Sequence, residues 1–551
     1  MITLPVTSPE KQTLSQRWVL PIAIGLFLLP VLFIEAMILA DTNGTFMYPV
    51  DDTFIHLAIA KNFAFHGVWG ISAHEFASAS SSILYPLILT GILKIVGLHT
   101  IIPFLVNLVA ATGLLIVVRS WLQRQEISPA NQLWVLAGLI FFTPLPVLAM
   151  SGMEHTIQLL FCFLFIWSFA DNLGRLVESR EKESTMKEWK FPSSVFIYAF
   201  LLTLTRYEGM TIIGISCLIL LAYRRWWLAF QLGMAGFLPI LVFGIISLYM
   251  GSFFIPNSVL LKSGAPPFTV DGILNYFTDV WFEKLSSSGV GYNMIGTQRL
   301  LFILPITYLV FHEHIRKTLV YRYILIILMA ATLLHLSVAA IVRFPRYEAY
   351  LVGCSSIVIG SLIVKYGRAV MAGPVGKAGW VAYGVGILLI YPLFFRSTSA
   401  FTNVSTQSQN IYGQQYQMGR FLHNYYNTVP VAFNDIGAAS MLTEGKNVDF
   451  WGLGNLDVTR SIKQNYYGPD FLNWLSKRDS VKIAVLFERY FPPALLYQWD
   501  KVASWQVPNN IICADDSVSF YAVDKLSEAA LRKNLHDFEL SLPHGVTVRY
   551  Y

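Results

Sequence analysis

The sequence predicts a polytopic α-helical membrane protein carrying a C-terminal α/β domain outside the bilayer. Three observations predict it. Of the 551 residues, 55% are hydrophobic and only 13% charged, about half the charged share of a soluble domain. Twelve apolar segments approach or exceed a bilayer-spanning length. From about residue 397 that pattern gives way to short apolar strands alternating with helical stretches. The 14 Trp and 27 Tyr suit the aromatic belts at span ends.

The apolar segments lie near 18–40, 83–97, 101–118, 132–150, 156–170, 192–205, 209–223, 228–250, 298–311, 321–342, 347–365 and 379–396. Lys and Arg accumulate on the cytoplasmic side of membrane proteins. The clusters Arg119/Arg124, Arg175–Lys190, Arg224/Arg225, Arg316–Arg322 and Lys365–Lys377 join Lys11 and Arg17 inside only if one early segment fails to cross. The 83–97 stretch is short and carries Lys94, so it is expected at the outer surface, leaving about eleven spans. The amino terminus is then cytoplasmic and the tail extracytoplasmic, in a cytoplasmic (inner) membrane. Residues 1–396 form the transmembrane domain with outer loops 41–100 and 251–297, and residues 397–551 form the tail. The apolar run after the polar first 17 residues is too long for a cleaved signal. Cys162, Cys217, Cys354 and Cys513 suggest neither disulfide framework nor thiolate metal site. A net charge of +6 is accounted for by the inner loops and gives no reason to expect nucleic-acid binding.

The outer loops hold the chemistry. Asp51 and Asp52 open a stretch, 51–65, that is apolar at Phe54, Leu57, Ala58 and Phe65, with Asp52 and His56 one turn apart. It reads as an amphipathic helix on the membrane surface, with His56 as a partner of Asp52. Tandem acids exceed what helix capping requires. One can serve as general base while the other holds a divalent ion or the acceptor hydroxyl. Glu154, in the Ser151–His155 turn, is a further carboxylate facing that loop. Arg206, Lys262, Arg343 and Arg346 lie on the outer side against the topological bias, and cations there suit a lipid phosphate. Glu208 is placed to orient Arg206. Pro256-Asn257-Ser258 breaks a span, and Asn257 either initiates a turn or reads hydroxyls.

These blocks resemble the GT-C superfamily of glycosyltransferases, which use polyprenyl-phosphate sugars, and within it the arabinofuranosyltransferase-type members of the actinobacterial cell wall. Asp51-Asp-Thr-Phe-Ile-His-Leu-Ala-Ile-Ala-Lys-Asn-Phe-Ala-Phe-His-Gly67 is similar to their first-loop signature, in which an Ala-Arg-Asn-type helix follows two acids. Glu75 with the Ser-rich 78–82 tract, Ser151-Gly-Met-Glu154, Thr205-Arg-Tyr-Glu-Gly209 and Ile255-Pro-Asn-Ser258 with Lys262 resemble further blocks, as do Asn434-Asp-Ile-Gly-Ala438 and Val448-Asp-Phe-Trp-Gly-Leu453. The chain departs from the pattern at Tyr207, at His155 and across Ser81–Leu84.

The resemblance implies an inverting transfer of a sugar from a polyprenyl-phosphate donor to an extracytoplasmic glycan, lipid or protein acceptor. Asp51, Asp52 and Glu154 are the expected catalytic acids. Arg206, Lys262, Arg343 and Arg346 are expected to hold the donor phosphate, and His56, Glu75, Glu208, Asn257 and Tyr347 the substrates. No cofactor is assigned beyond a candidate Mg2+ or Mn2+ ion on Asp51 and Asp52, the alternative to a metal-free base. A transporter would place ionisable groups midway through spans and repeat its halves. A non-catalytic glycan-binding or assembly subunit of the same fold is the other rival.

Overall fold

The computed structural model describes residues 14–182, 189–262, 296–338, 344–372 and 376–551. Among them, seven helices are long and apolar enough to cross a membrane, and five shorter apolar helices accompany them. The chain is a multi-pass membrane protein with a C-terminal sheet domain. Backbone amides have no partner in hydrocarbon, so each apolar stretch closes its hydrogen bonds as a helix.

In chain order the bundle comprises α1 (Leu14–Asp41), α2 (Asp52–His66), α3 (Leu84–Val96), α4 (Ile102–Arg124), α5 (Pro129–Phe142), α6 (Leu145–Met150) and α7 (His155–Lys182). There follow α8 (Ser193–Thr205), α9 (Gly209–Ala222), α10 (Trp226–Tyr249) and the short α11 (Asn257–Lys262). Next come α12 (Leu300–Val310), α13 (Leu319–Val338), α14 (Ala349–Ala372) and the long α15 (Gly376–Ile411). Prolines fit the first turns of α4 and α5, where the missing N–H costs nothing.

The expected boundary at 396/397 falls inside α15, which continues through a π-turn (Tyr412–Tyr416) into helix Gln417–Tyr426. Hydropathy changes there, but the rod does not break. Arg343 and residues 263–295, most of the expected second outer loop, lie outside the described residues, as does the side chain of Lys262.

The tail is a six-stranded sheet in the order β2-β1-β3-β5-β4-β6. The strands are β1 (Val431–Phe433), β2 (Asn447–Asp449), β3 (Ile483–Leu486), β4 (Asp500–Gln506), β5 (Ser517–Ala522) and β6 (Thr547–Tyr550). The first three are parallel to one another, and the rest pair antiparallel. Both faces of the parallel half are covered, and β1 and β3 read as unbroken apolar runs. Ala432, Ala484 and Leu486 pack one way with Leu472 and Leu475. Val431, Phe433, Ile483 and Val485 pack the other way with Phe421 and Phe538. That second core also takes in Ile55, Ile59, Trp69, Ile71 and Ile83 of the first loop. Tail and loop thus share one core.

This shared core overturns the expected placement of α2. The helix does not lie on a membrane surface: residues 53–62 are buried on every side. It packs between α3 and α16 (Gly437–Leu442), the short helix that follows β1. Gly67 ends it in the left-handed region, φ 72°, with its N–H on Asn62 O.

Deep in the bundle, Arg396 donates to Glu348 Oε1 from Nε at 3.1 Å and Nη2 at 2.7 Å, with both side chains fully buried. Breaking such a pair strands a charge, at a cost of about 3–5 kcal/mol, whereas replacing both partners is far milder. Arg396→Met is therefore expected to lower the melting temperature of the detergent-solubilised protein by several degrees. Arg396→Met/Glu348→Leu should recover most of that loss in the same thermal scan.

Candidate active site at the junction of loop and tail

The site is assembled on the turn between α6 and α7. Gly152 sits at φ 64°, and a Cβ there would fall 2.4 Å from the Tyr48 ring and 2.6 Å from Thr53 Cγ2, so only glycine fits. Thr53 Oγ1 donates to Ser151 O at 2.5 Å and Tyr85 OH to Gly152 O at 2.7 Å. These bonds staple α2 and α3 to the turn and fix Glu154 beneath them.

Glu154 is fully buried. Its Oε2 lies 3.1 Å from His56 Nε2, and its Oε1 accepts from Arg206 Nη1. Burial opposes its charge, but His56, Arg206 and His155 together hold the carboxyl well below the usual glutamate range. His56 Nδ1 lies 3.3 Å from Ser80 Oγ, in the Ser-rich tract. The partner of His56 is thus Glu154 and not the expected Asp52. Arg206 also donates to Glu208 from Nε at 3.0 Å and from Nη2 at 2.5 Å. All three of its nitrogens face carboxylates.

Beside this network lies a second ion pair, Asp52 with Arg346 Nη2. The Tyr347 ring is flanked by both guanidinium groups, each 5.0 Å from its centroid. Arg346 is 7% exposed, and among the described residues its Nε and Nη1 have no hydrogen-bond acceptor. Buried guanidinium donors without acceptors are costly in an empty site. They suit one that receives an anion.

Asp51 turns the other way. It does not cap its own helix. Its Oδ2 accepts from Gly437 N at 2.7 Å and its Oδ1 from Ala438 N at 2.9 Å, so it caps α16 in the tail. At the far end of α16, Lys61 Nζ donates to Met441 O at 3.0 Å and Thr443 O at 2.9 Å. One helix of the loop therefore clamps both ends of one helix of the tail, an acid at its amino end and a cation at its carboxyl end. With both Asp51 oxygens on backbone amides, Asp51 and Asp52 do not converge on one cation. Among the described residues no group of three or more His, Cys, Asp or Glu is placed to hold a metal.

Two further expected residues lie along the same seam. Glu75 Oε1 accepts from Asn455 Nδ2 of the tail at 3.3 Å, and burial raises its pKa. Asn257 is fully buried; its backbone N donates to Ser78 Oγ at 3.2 Å, and among the described residues neither atom of its amide has a partner. Sequence reasoning missed Lys61, Asp435, Glu348 and Arg396. Lys61 had a signal, a lone cation in an apolar helix at the Arg position of the resembled Ala-Arg-Asn block.

Residues 409–521, most of the tail, match a family model described as a domain of unknown function (DUF8728). No curated protein matches the chain. Two solved structures are similar in outline, both of ArnT from Cupriavidus metallidurans, one bound to undecaprenyl phosphate and one in the apo state. Each is 12% identical and covers 91% of this chain and 98% of its own, with TM-scores of 0.48 and 0.49. At that degree of likeness the chemistry has to be read from the residues themselves.

The clamp makes two testable demands. A Cβ on Gly437 would fall 2.2 Å from Asp51 O and 2.3 Å from its Oδ2. Gly437→Ala should therefore cost about 1–3 kcal/mol and speed amide exchange across 437–442. Burial, then the neighbouring Asp435, push the Asp51 carboxyl well above the usual aspartate range, against the two amides. A carboxyl whose folded pKa exceeds its unfolded one stabilises fully at low pH, and that contribution is lost as pH rises through the folded value. Amide protection factors across 437–442, corrected for the base-catalysed intrinsic rate, are thus expected to fall as pH rises above the ordinary aspartate range, and Asp435→Asn should flatten the dependence.

Proposed function

We propose that this chain is a membrane glycosyltransferase that moves a sugar from a polyprenyl-phosphate donor to an acceptor hydroxyl, with inversion. The carrying observation is the Asp52–Arg346 pair, an acid held against a buried guanidinium that still has donors to spare. Arg346 would offer the donor's phosphate the guanidinium N–H groups that Asp52 does not take. As the phosphate takes over the guanidinium's charge, Asp52 is released to accept a proton. The acceptor oxygen then bonds to the anomeric carbon, its proton passes to Asp52, and the carbon–oxygen bond to phosphate breaks. The leaving phosphate keeps the electron pair and stays paired with Arg346, so charge that grows in the transition state meets a fixed cation.

Glu154 and Arg206 take positioning roles in this reading. Arg206 is saturated by Glu154 and Glu208 and so fixes their orientation, leaving the anion to Arg346. His56, oriented by Glu154, faces the Ser-rich tract and would contact a substrate hydroxyl, as would Asn257. We place the site on the extracytoplasmic side. Arg175 near the end of α7 and the Lys/Arg clusters after α9, before α13 and at the end of α14 lie at the helix ends away from it, as the positive-inside bias requires. The resemblance in the first loop favours an arabinofuranosyltransferase-type enzyme.

Transfer of radiolabelled sugar from a panel of polyprenyl-phosphate sugars, assayed in membrane vesicles, tests the assignment. Asp52→Asn is expected to lower the rate by about two to four orders of magnitude. Arg346→Lys, which keeps the charge but not the fork, should lose less than Arg346→Ala. Full activity in Asp52→Asn would remove the acid from the reaction and leave a non-catalytic subunit as the better reading.

A further inference from the structure

Far from the site, three helices leave a furrow open on the flank of the bundle. It holds about 730 Å3 and lies between α12, the second half of α14 and the first half of α15. Ile303, Thr307 and Phe311 recur every four residues and form its floor, all of them buried. Thr307 Oγ1 donates to Ile303 O at 2.7 Å, so the floor's hydroxyl is already satisfied. Two glycines keep the walls low. Among the described residues, a Cβ on Gly386 of α15 would meet nothing within 4 Å. One on Gly367 of α14 would meet only Ile363 Cγ2 of the same helix, at 3.8 Å.

Its position along α14 sets its depth in the bilayer. Arg346 stands just before that helix, whereas the furrow borders it from Ile359 to Ala372. At 1.5 Å per residue, Arg368 lies about 28 Å along the helix from Ala349, close to the full thickness of the hydrocarbon. The furrow's wall is about 20 Å long and half of the hydrocarbon about 15 Å, so it runs through the leaflet away from the site. Its headgroup end is basic. Arg368 is exposed and is the one charged residue in the lining. Lys365, one turn before it, has Nζ 5.4 Å from the Tyr366 ring centroid, and that ring lies 4.4 Å from the His314 ring. His314 belongs to the short helix His312–Lys317, directly after Phe311, which adds the exposed Arg316 and Lys317. The acid on that helix, Glu313, lies 3.7 Å from His312.

We infer that the furrow binds an anionic phospholipid, one acyl chain over the Ile303–Phe311 floor and the phosphate on Arg368. The inference stands apart from the glycosyltransferase reading and takes from it only the leaflet, which the proposed orientation makes the cytoplasmic one. Basic pockets between spans on that side suit acidic headgroups. A guanidinium at the mouth can give a phosphate two parallel N–H bonds. Below it the apolar walls and the satisfied Thr307 leave an acyl chain no polar group to desolvate. The donor's prenyl chain is the rival occupant. With its phosphate at Arg346, that lipid would reach the furrow tail first and bring Arg368 no anion.

Native mass spectrometry of the detergent-purified full chain tests this, in separate titrations with dioleoyl phosphatidylglycerol, dioleoyl phosphatidylcholine and undecaprenyl phosphate. The first phosphatidylglycerol is expected to bind about tenfold more tightly than phosphatidylcholine, whose acyl chains are the same. Arg368→Ala should weaken it about fivefold, the effect of one cation near a headgroup, and Arg368→Lys should keep most of it. Gly386→Leu, which projects into open space, should abolish the tight site while thermal unfolding stays unchanged. The inference is overturned if the two phospholipids bind alike, or if Gly386→Leu retains phosphatidylglycerol as wild type does. It is also overturned if undecaprenyl phosphate displaces phosphatidylglycerol and is itself lost in Gly386→Leu, which would give the furrow to the donor's tail. Lipid retention is read without turnover, so failure of either this inference or the enzyme reading leaves the other standing.

Discussion

Everything in the site depends on the way α2 is held. Its amino end offers Asp51 to the N–H groups of Gly437 and Ala438, and Lys61 near its carboxyl end takes the carbonyls of Met441 and Thr443. Hydrogen bonds of this kind contribute about 0.5–1.5 kcal/mol each, and here they close on a helix of only six residues. A helix that short has little stability of its own, so its ends are satisfied by the loop. The loop in turn gains a rigid partner. Asp52 follows Asp51 directly, so the tail fixes the backbone that aims it.

The burial of charge follows a consistent pattern. Glu154, Arg206 and Arg346 are each nearly or fully buried, and each has an oppositely charged partner. Arg206 is fully committed, with carboxylates on every nitrogen. Arg346 is not, because among the described residues its Nε and Nη1 have no acceptor. Two arginines on either side of one tyrosine ring thus differ in what they have left to give. That difference separates the group that shapes the site from the one able to receive an anion, which residue type alone could not do.

Much of this was legible in the sequence, for physical reasons. Hydropathy runs gave the helices because a bilayer leaves the backbone no other solution. Short apolar strands between helical stretches gave the tail its α/β character. The outer loops were marked by acids and cations at span ends. The placement of α2 was not legible. Phe54, Leu57 and Ala58 suggested one apolar face, whereas the helix is buried all round by a partner nearly 400 residues away in the chain. Periodicity reports that a face is apolar and says nothing of what covers the other. Arg396 and Glu348 escaped for a related reason: each alone resembles an ordinary charge near a span end, and only folding brings them together.

The tandem aspartates show the limit most clearly. Side by side in sequence they suggest joint action on one cation or one substrate. Successive residues at the start of a helix, however, point about 100° apart, and α2 lies between two different bodies. One aspartate must then face the tail and the other the bundle, so two adjacent acids take up unlike tasks. The division also explains why both are needed. An acid that accepts a proton at the rim of a membrane bundle needs a backbone that does not drift with the lipid. The nearest rigid object is the tail sheet, and Asp51 is the residue that binds to it.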